Sequence, residues 1–124
     1  MKKFFLAIFA CLLISTTANA QDIWFYTEHS PDGETTEHFL KPETVKEYSG
    51  RYMFDAAIVN VYKHANGTVD ETRRVYSFVR VKDIWYVTRL ASTTDWKPLS
   101  EFPVLSKFFD TCKPYSHYAK MYPR

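Results

Sequence analysis

The longest continuous apolar pattern in the chain runs from Thr72 to Ser92, TRRVYSFVRVKDIWYVTRLAS. It contains no glycine or proline and is rich in valine and aromatic residues, which favour pleated, half-buried strands. The alternation of apolar residues pauses only at Lys82 and Asp83. The pattern therefore predicts the centre of a β-sheet, with a further strand at Ile84–Ala91 after the pause.

Two opposite faces alternate along the first half of this stretch. One carries the small side chains of Val75, Ser77, Val79 and Val81, which predicts the core face. The other alternates bases with rings, which predicts a face directed to solvent or to a partner. A plainer interpretation is a solvated face whose rings cover the helix or the tail. The candidate partner-binding face consists of Arg74, Tyr76, Phe78, Arg80 and Lys82.

Three dipeptides that end in glycine divide the preceding chain, and Asp-Gly and Asn-Gly are strong hairpin signals. They are Asp32-Gly33, Ser49-Gly50 and Asn66-Gly67. The segments between them predict three strands and one helical turn or bend. Pro42 suits the first helical position of that turn. The strands are Ile23–His29, Glu34–Leu40 and Arg51–Lys63, and the turn is Lys41–Tyr48.

The periodicity changes to that of a helix after Pro103, which suits a first helical position. Pro114 then ends or kinks this helix. Beyond it, three tyrosines form either a further aromatic stripe or a tail laid over the sheet. The chain as a whole predicts an α+β fold, in which a curved antiparallel meander of about five to six strands carries a C-terminal helix packed on one face. The helical stripe consists of Val104, Leu105, Phe108, Phe109 and Cys112, and the tyrosines are Tyr115, Tyr118 and Tyr122.

The first 20 residues have the pattern of a secretory signal peptide. Lys2 and Lys3 precede the apolar run Phe4–Ile14, and Ala18-Asn19-Ala20 supplies the small residues of a cleavage site. We therefore expect export to the periplasm, cell surface or medium, with cleavage near Ala20 and no transmembrane segment in the mature chain. A lipidated Cys11 is the alternative. Residues 21–124 then form one domain.

Charge is balanced overall but unevenly distributed. Removing Lys2 and Lys3 from the 16 basic residues leaves 14, equal to the 14 acidic ones. Residues 21–49 hold seven acids and two bases, whereas 50–124 hold seven acids and twelve bases. The asymmetry favours either two faces of opposite sign, which suit a charged partner, or neutralisation of one half by the other across the sheet.

The chain has no sequence motif typical of a catalytic or cofactor site. Its four histidines lack metal-ligand spacing, and the three glycines lie in turns rather than in a phosphate-binding loop. Without the signal peptide, Cys112 is the one cysteine, which indicates a buried small residue, an intermolecular bridge or the remnant of a lost pair. Of these we expect the first, with Cys112 buried, unpaired and dispensable. The sequence thus predicts neither catalytic residues nor metal or cofactor, and favours a non-enzymatic protein.

The order of these features resembles the surface-adhesin protein E-like family of small exported bacterial proteins. The resemblance rests on the segments 38–45, 50–63 and 72–92 and on a C-terminal helix with a cysteine, Cys112. It implies a curved antiparallel sheet with a C-terminal helix on one side. That family often carries a second cysteine between the two late strands, where this chain has Val81-Lys82-Asp83-Ile84.

Together these features predict an exported binding protein that recognises a protein or an anionic glycan or lipid of the envelope or host, and the family resemblance implies an adhesin-like role. The alternative is a periplasmic structural or inhibitor module that acts on another envelope protein. Export argues against a nucleic-acid partner, although bases interleaved with rings also suit single strands.

Overall fold

A computed structural model describes residues 22–89 and 95–124. In this part of the chain, six antiparallel strands lie side by side in chain order and curl into a half-barrel that holds a C-terminal helix. The predicted α+β fold, a curved meander with a helix on one face, is confirmed. The elements are β1 (Ile23–His29), β2 (Thr35–Tyr48), β3 (Met53–Lys63), β4 (Val69–Val81), β5 (Ile84–Arg89), β6 (Lys97–Pro98), a 3₁₀ turn (Leu99–Glu101), α1 (Pro103–Cys112) and α2 (His117–Met121).

Strand β2 extends beyond its predicted end to Tyr48, so of the helical turn or bend predicted for Lys41–Tyr48 the helical form is wrong. Lys41 pairs with Ala57 and Lys46 with Asp55, so the four residues 42–45 form an irregularity in the ladder. The hydroxyl of Thr44 donates to the carbonyl of Lys41 and accepts from the amide of Ala57. Proline cannot donate to a ladder and is tolerated at such irregularities, so Pro42 marks a bulge rather than a helix start.

The pause in the apolar pattern is a two-residue hairpin turn between β4 and β5. Lys82 and Asp83 both have positive φ, 51° and 70°, as a tight turn that matches the twist of the strands requires. The Arg80 guanidinium donates to the Asp83 carboxylate at 2.8 Å and braces the turn. Neither turn residue is glycine, so the sequence lacked the usual signal of a hairpin here.

The predicted orientation of β4 is wrong. Phe78, expected on the solvent-facing side, is 0% exposed, whereas Val81, expected in the core, is 47% exposed. The concave side of the half-barrel faces α1, and a curved sheet needs large rings to fill the space up to a helix. The smaller valines instead occupy the outer face, the side turned away from α1.

The core is an aromatic cluster between the sheet and α1. Phe54 stacks on Phe78 with ring centroids 5.0 Å apart, and Trp85 lies 4.8 Å from Phe109. Phe108 fills the space beside Phe78 at 5.9 Å. These rings come from three strands and the helix, so the core forms only when all of them meet.

The C-terminal tail is folded against the sheet, as one of the two sequence interpretations held. Ser116 caps α2 by accepting from the amide of Ala119, and the Glu47 carboxylate of β2 accepts from both Ser116 and the Tyr118 amide at 2.8 Å. The Trp85 indole donates to the Tyr122 carbonyl at 2.6 Å. Tail and sheet are therefore joined at two separate points.

Cys112 lies at the end of α1, buried in the core and free. Burial in apolar surroundings raises the pKa of its thiol, because the thiolate is poorly solvated there. The expectation that this side chain is buried is therefore confirmed, and its dispensability and the absence of an intermolecular bridge stay predictions.

Phe78→Ala should lower the free energy of unfolding by about 3–5 kcal/mol, since it leaves a cavity in the packed core. Val79→Ala, the next residue on the outer face, should lower it by only about 1 kcal/mol. Urea unfolding followed by fluorescence measures both values. Equal losses would contradict the assignment of the two faces.

Cys112→Ala should fold and lose about 1 kcal/mol, the cost of a methyl-sized cavity. In the chain that starts at Gln21, the wild-type thiol should be inert to iodoacetamide at pH 8 and react once urea unfolds the protein. Rapid labelling of the folded protein, or a disulfide-linked dimer on a non-reducing gel, would show that Cys112 is accessible.

Candidate functional site

The five residues of the candidate partner-binding face do not form one exposed surface. Phe78 is part of the core, Lys82 lies in the hairpin turn, and the guanidinium of Arg80 lies 4.1 Å from the ring centre of Tyr122 in the tail. Arg74 and Tyr76 remain on the open part of the concave face, where Arg74 is exposed and Tyr76 is half-buried. The structure thus brings together two of the five.

A cavity of about 550 Å³ opens next to Tyr76, between the strands β5 and β6 and the start of α1. Its apolar wall is formed by side chains that also pack on the core: Tyr76, Val87, Phe102 and Leu105. Its polar lining consists of Thr88, Arg89, Asp95 and Lys97. The cavity volume falls within the range of roughly 300–1,000 Å³ that is typical of small-molecule sites.

Strand register explains why bases meet rings at this cavity. Arg89 pairs with Tyr76, and Lys97 pairs with Val87, which itself pairs with Phe78. Residues directly opposite each other in a ladder direct their side chains to the same face. Arg89 and Lys97 therefore continue, toward the sheet edge, the rows that form the core.

The bases at the cavity form no ion pair with other described residues. Within residues 22–89 and 95–124, Arg74, Arg89 and Lys97 make no ion pair within 4.0 Å, and the same holds for Asp95. Arg89 and Lys97 are exposed at the mouth. By contrast, Lys63 on β3 pairs with Glu37 on β2 at 2.9 Å. This ion pair joins the acidic and the basic halves of the chain, whereas the bases around the cavity have no such partner among the described residues.

Sequence reasoning missed Arg89, Lys97, Phe102 and Leu105 as a group. Arg89 ends one strand, Lys97 belongs to a strand of two residues, and Phe102 and Leu105 belong to the start of the helix. No local spacing connects these residues. Only the basic–aromatic alternation of Arg74 and Tyr76 pointed to this part of the concave face.

His38 lies on the concave face farther along the sheet and has both ring nitrogens occupied. Nδ1 lies 2.5 Å from Asn60 Oδ1, and Nε2 lies 2.6 Å from Glu28 Oε1. Asn60 in turn donates to the Thr72 hydroxyl at 3.4 Å. This polar row joins strands β1 to β4 and holds the imidazole in place, so neither nitrogen is directed at a ligand site.

The outer face carries a second, apolar depression of about 570 Å³. A ladder row forms its floor, in which Met53 pairs with Val79 and Val79 with Tyr86. Val81 and Trp96 complete the apolar lining, and Arg51 is its one base. This depression lacks the mixture of unpaired charges found at the concave cavity.

Neither a metal site nor a membrane-spanning helix is evident in the described residues. No group of three or more histidine, cysteine, aspartate or glutamate side chains there is placed to hold a metal ion. Among the same residues, no helix has the length and apolarity needed to cross a membrane.

Comparisons with protein-family models, curated proteins and solved structures found no match to this chain. The resemblance to the surface-adhesin protein E-like family therefore stays a prediction.

His64 lies between two carboxylates and connects two turns of the chain. Its Nδ1 lies 3.1 Å from the Glu34 carboxylate and its Nε2 lies 2.7 Å from that of Asp70. These two carboxylates raise the pKa of the imidazole, because both favour its charged form. A protonated His64 thus ties the first hairpin to the turn between β3 and β4.

His64→Gln should reduce the pH dependence of stability. Because the folded-state pKa of His64 is raised, its contribution is complete below the unfolded pKa of about 6.5 and is lost as pH rises through the folded value. Thermal melts between pH 5 and pH 9 measure the slope. His29→Gln, which changes an exposed histidine at the end of β1, is the control. A His64→Gln slope equal to that of wild type would exclude this contact as a source of the dependence.

Proposed function

We propose that this chain is an exported, non-enzymatic binding protein that recognises a partner carrying negative charge. The observation that supports this proposal is a set of bases that form no ion pair within the described residues, Arg89 and Lys97 with Arg74 nearby, beside the apolar cavity of the concave face. Exposed bases next to desolvated rings offer a partner both charge attraction and apolar contact.

The proposed compartment follows from the signal peptide pattern of residues 1–20, which lie outside the described residues. Cleavage near Ala20 would deliver residues 21–124 to the periplasm, cell surface or medium. Acidic protein segments and anionic glycans or lipids are the charged partners available there. An adhesin-like role, as the family resemblance implies, is one form of this proposal.

The electrostatics of the site define what its bases contribute. Charges at an exposed rim chiefly raise the rate of encounter and select the sign of the partner, and salt screens them strongly. The apolar wall is largely insensitive to salt. Binding at this cavity should therefore weaken with ionic strength without vanishing.

The second candidate is a structural or inhibitor module that acts on another periplasmic protein. The apolar depression on the outer face, with Met53, Val79 and Tyr86 in its floor, favours it, because protein interfaces have apolar cores. Cell fractionation separates direct adhesion from this role, since a chain confined to the periplasm cannot contact a host surface.

Arg89→Glu should lower the salt concentration at which the protein elutes from immobilised poly-L-glutamate, our probe for an acidic segment. Its matched control is Arg73→Glu, which makes the same charge change on the outer face of β4. Since both variants have the same net charge, the difference between them measures the site alone. We expect elution in the order Arg89→Glu, then Arg73→Glu, then wild type.

The same column tests Arg74→Glu, which alters a neighbouring base on the concave face. Its elution should resemble that of Arg89→Glu. Identical elution of all three variants would mean that retention reflects net charge only, and the concave site would be rejected. Immobilised heparin in place of poly-L-glutamate then distinguishes an anionic glycan from an acidic peptide.

A further inference from the structure

We propose that the concave cavity binds a small amphipathic monoanion, a molecule with an apolar body and a single carboxylate. This inference rests on the proposed function, since it names the class of ligand for the same site. The cavity has an apolar inner wall and a charged rim, and each of them limits which ligands it can bind.

The inner part of the cavity is apolar. Val87 is 3% exposed, and Phe102 and Leu105 pack against the core from the helix side. The ring of Tyr76 closes the wall and lies 6.3 Å from that of Phe108, edge to face. A rigid apolar wall selects a hydrocarbon or ring body, and offers nothing to a fully hydrated ion.

The mouth of the cavity supplies the charge selection. Arg89 and Lys97 are held by the ladder on the concave side, and Asp95 is the acid at the same rim. Arg74 does not line the cavity, so at the rim itself two bases and one acid leave a single positive charge, which matches one carboxylate. A guanidinium presents two parallel N–H groups to a carboxylate, so Arg89 is the expected anchor.

Asp95 sharpens the prediction further. A second negative charge on the ligand would have to approach this carboxylate, whereas a hydroxyl on the ligand could donate to it. The rim thus disfavours dianions such as phosphate monoesters. It accepts a carboxylic acid, with or without a hydroxyl group near the carboxylate.

The test is isothermal titration calorimetry of the chain that starts at Gln21, with three probes. Decanoate, below its micelle concentration, carries the body and the charge, decanol carries the body alone, and inorganic phosphate carries charge alone. We expect one site for decanoate, weaker binding of decanol, and no heat from phosphate.

Three variants assign the binding to this cavity. Arg89→Gln should weaken decanoate roughly fivefold, the value of an exposed charge pair, and leave decanol unchanged. Asp95→Asn should tighten decanoate, which a merely structural role would not do. Leu105→Ala should weaken both probes.

The matched controls lie outside the cavity. Arg73→Gln removes a base from the outer face of β4, and Val104→Ala removes a half-buried apolar side chain from the position next to Leu105. Both should bind decanoate as the wild type does. Thermal melts check that every variant is folded. If Leu105→Ala does not fold, Asp95→Asn still tests the cavity, because it changes an exposed side chain.

The outcomes separate this inference from the proposed function. Equal binding of decanoate and decanol, or no effect of Arg89→Gln and Asp95→Asn, would overturn the monoanion. If no decanoate binds but retention on poly-L-glutamate still depends on Arg89, the ligand class is wrong and the binding function stands. Loss of both signals would reject both.

Discussion

The structure depends on one aromatic contact layer, in which the rings of Phe54 and Phe78 on the sheet meet Phe109 on the helix. A single curved sheet cannot bury its concave side alone, and one short helix is enough only if its side chains and those of the sheet are large. The same layer determines how much of the concave face α1 covers. From Tyr76 on β4 toward the edge strand β6, the core rings no longer fill the concave face, and the cavity begins there.

Much of the fold could be predicted from local sequence because local chemistry determines it. Strand β1 begins and ends where predicted, and the turns at Gly33 and Gly67 have the positive φ that Asp-Gly and Asn-Gly imply. The orientation of β4 could not be predicted this way. Alternation shows that Phe78 and Val79 face opposite sides, but which side is inside depends on the distant helix that covers it. Likewise, Pro42 suits a helix start or a bulge equally well, and the register against β3 decides between them.

The candidate site also combines features that local sequence determines with features that depend on distant contacts. Arg74 and Tyr76 were predicted as neighbours on one face, because two residues in a strand suffice to establish that. Arg89, Lys97 and Leu105 come from three further elements and meet only through strand pairing and helix packing. The expected surface of five residues was therefore reduced to two and completed by others. What remains is a mixed apolar and basic cavity instead of a flat basic surface.

The attachment of the C-terminal tail has a consequence for how the chain reaches its fold. Phe108 and Phe109 complete the core, whereas Ser116 and Tyr122 form hydrogen bonds with Glu47 and Trp85 of the sheet. The two phenylalanines, Ser116 and Tyr122 all follow the six strands in the chain. A sheet without them has an uncovered apolar interior, so the cooperative unit forms only when this helical segment is in place. Contacts between such distant parts of a chain form slowly. The late C-terminal segment therefore controls when the whole domain becomes folded, although most of the domain is sheet.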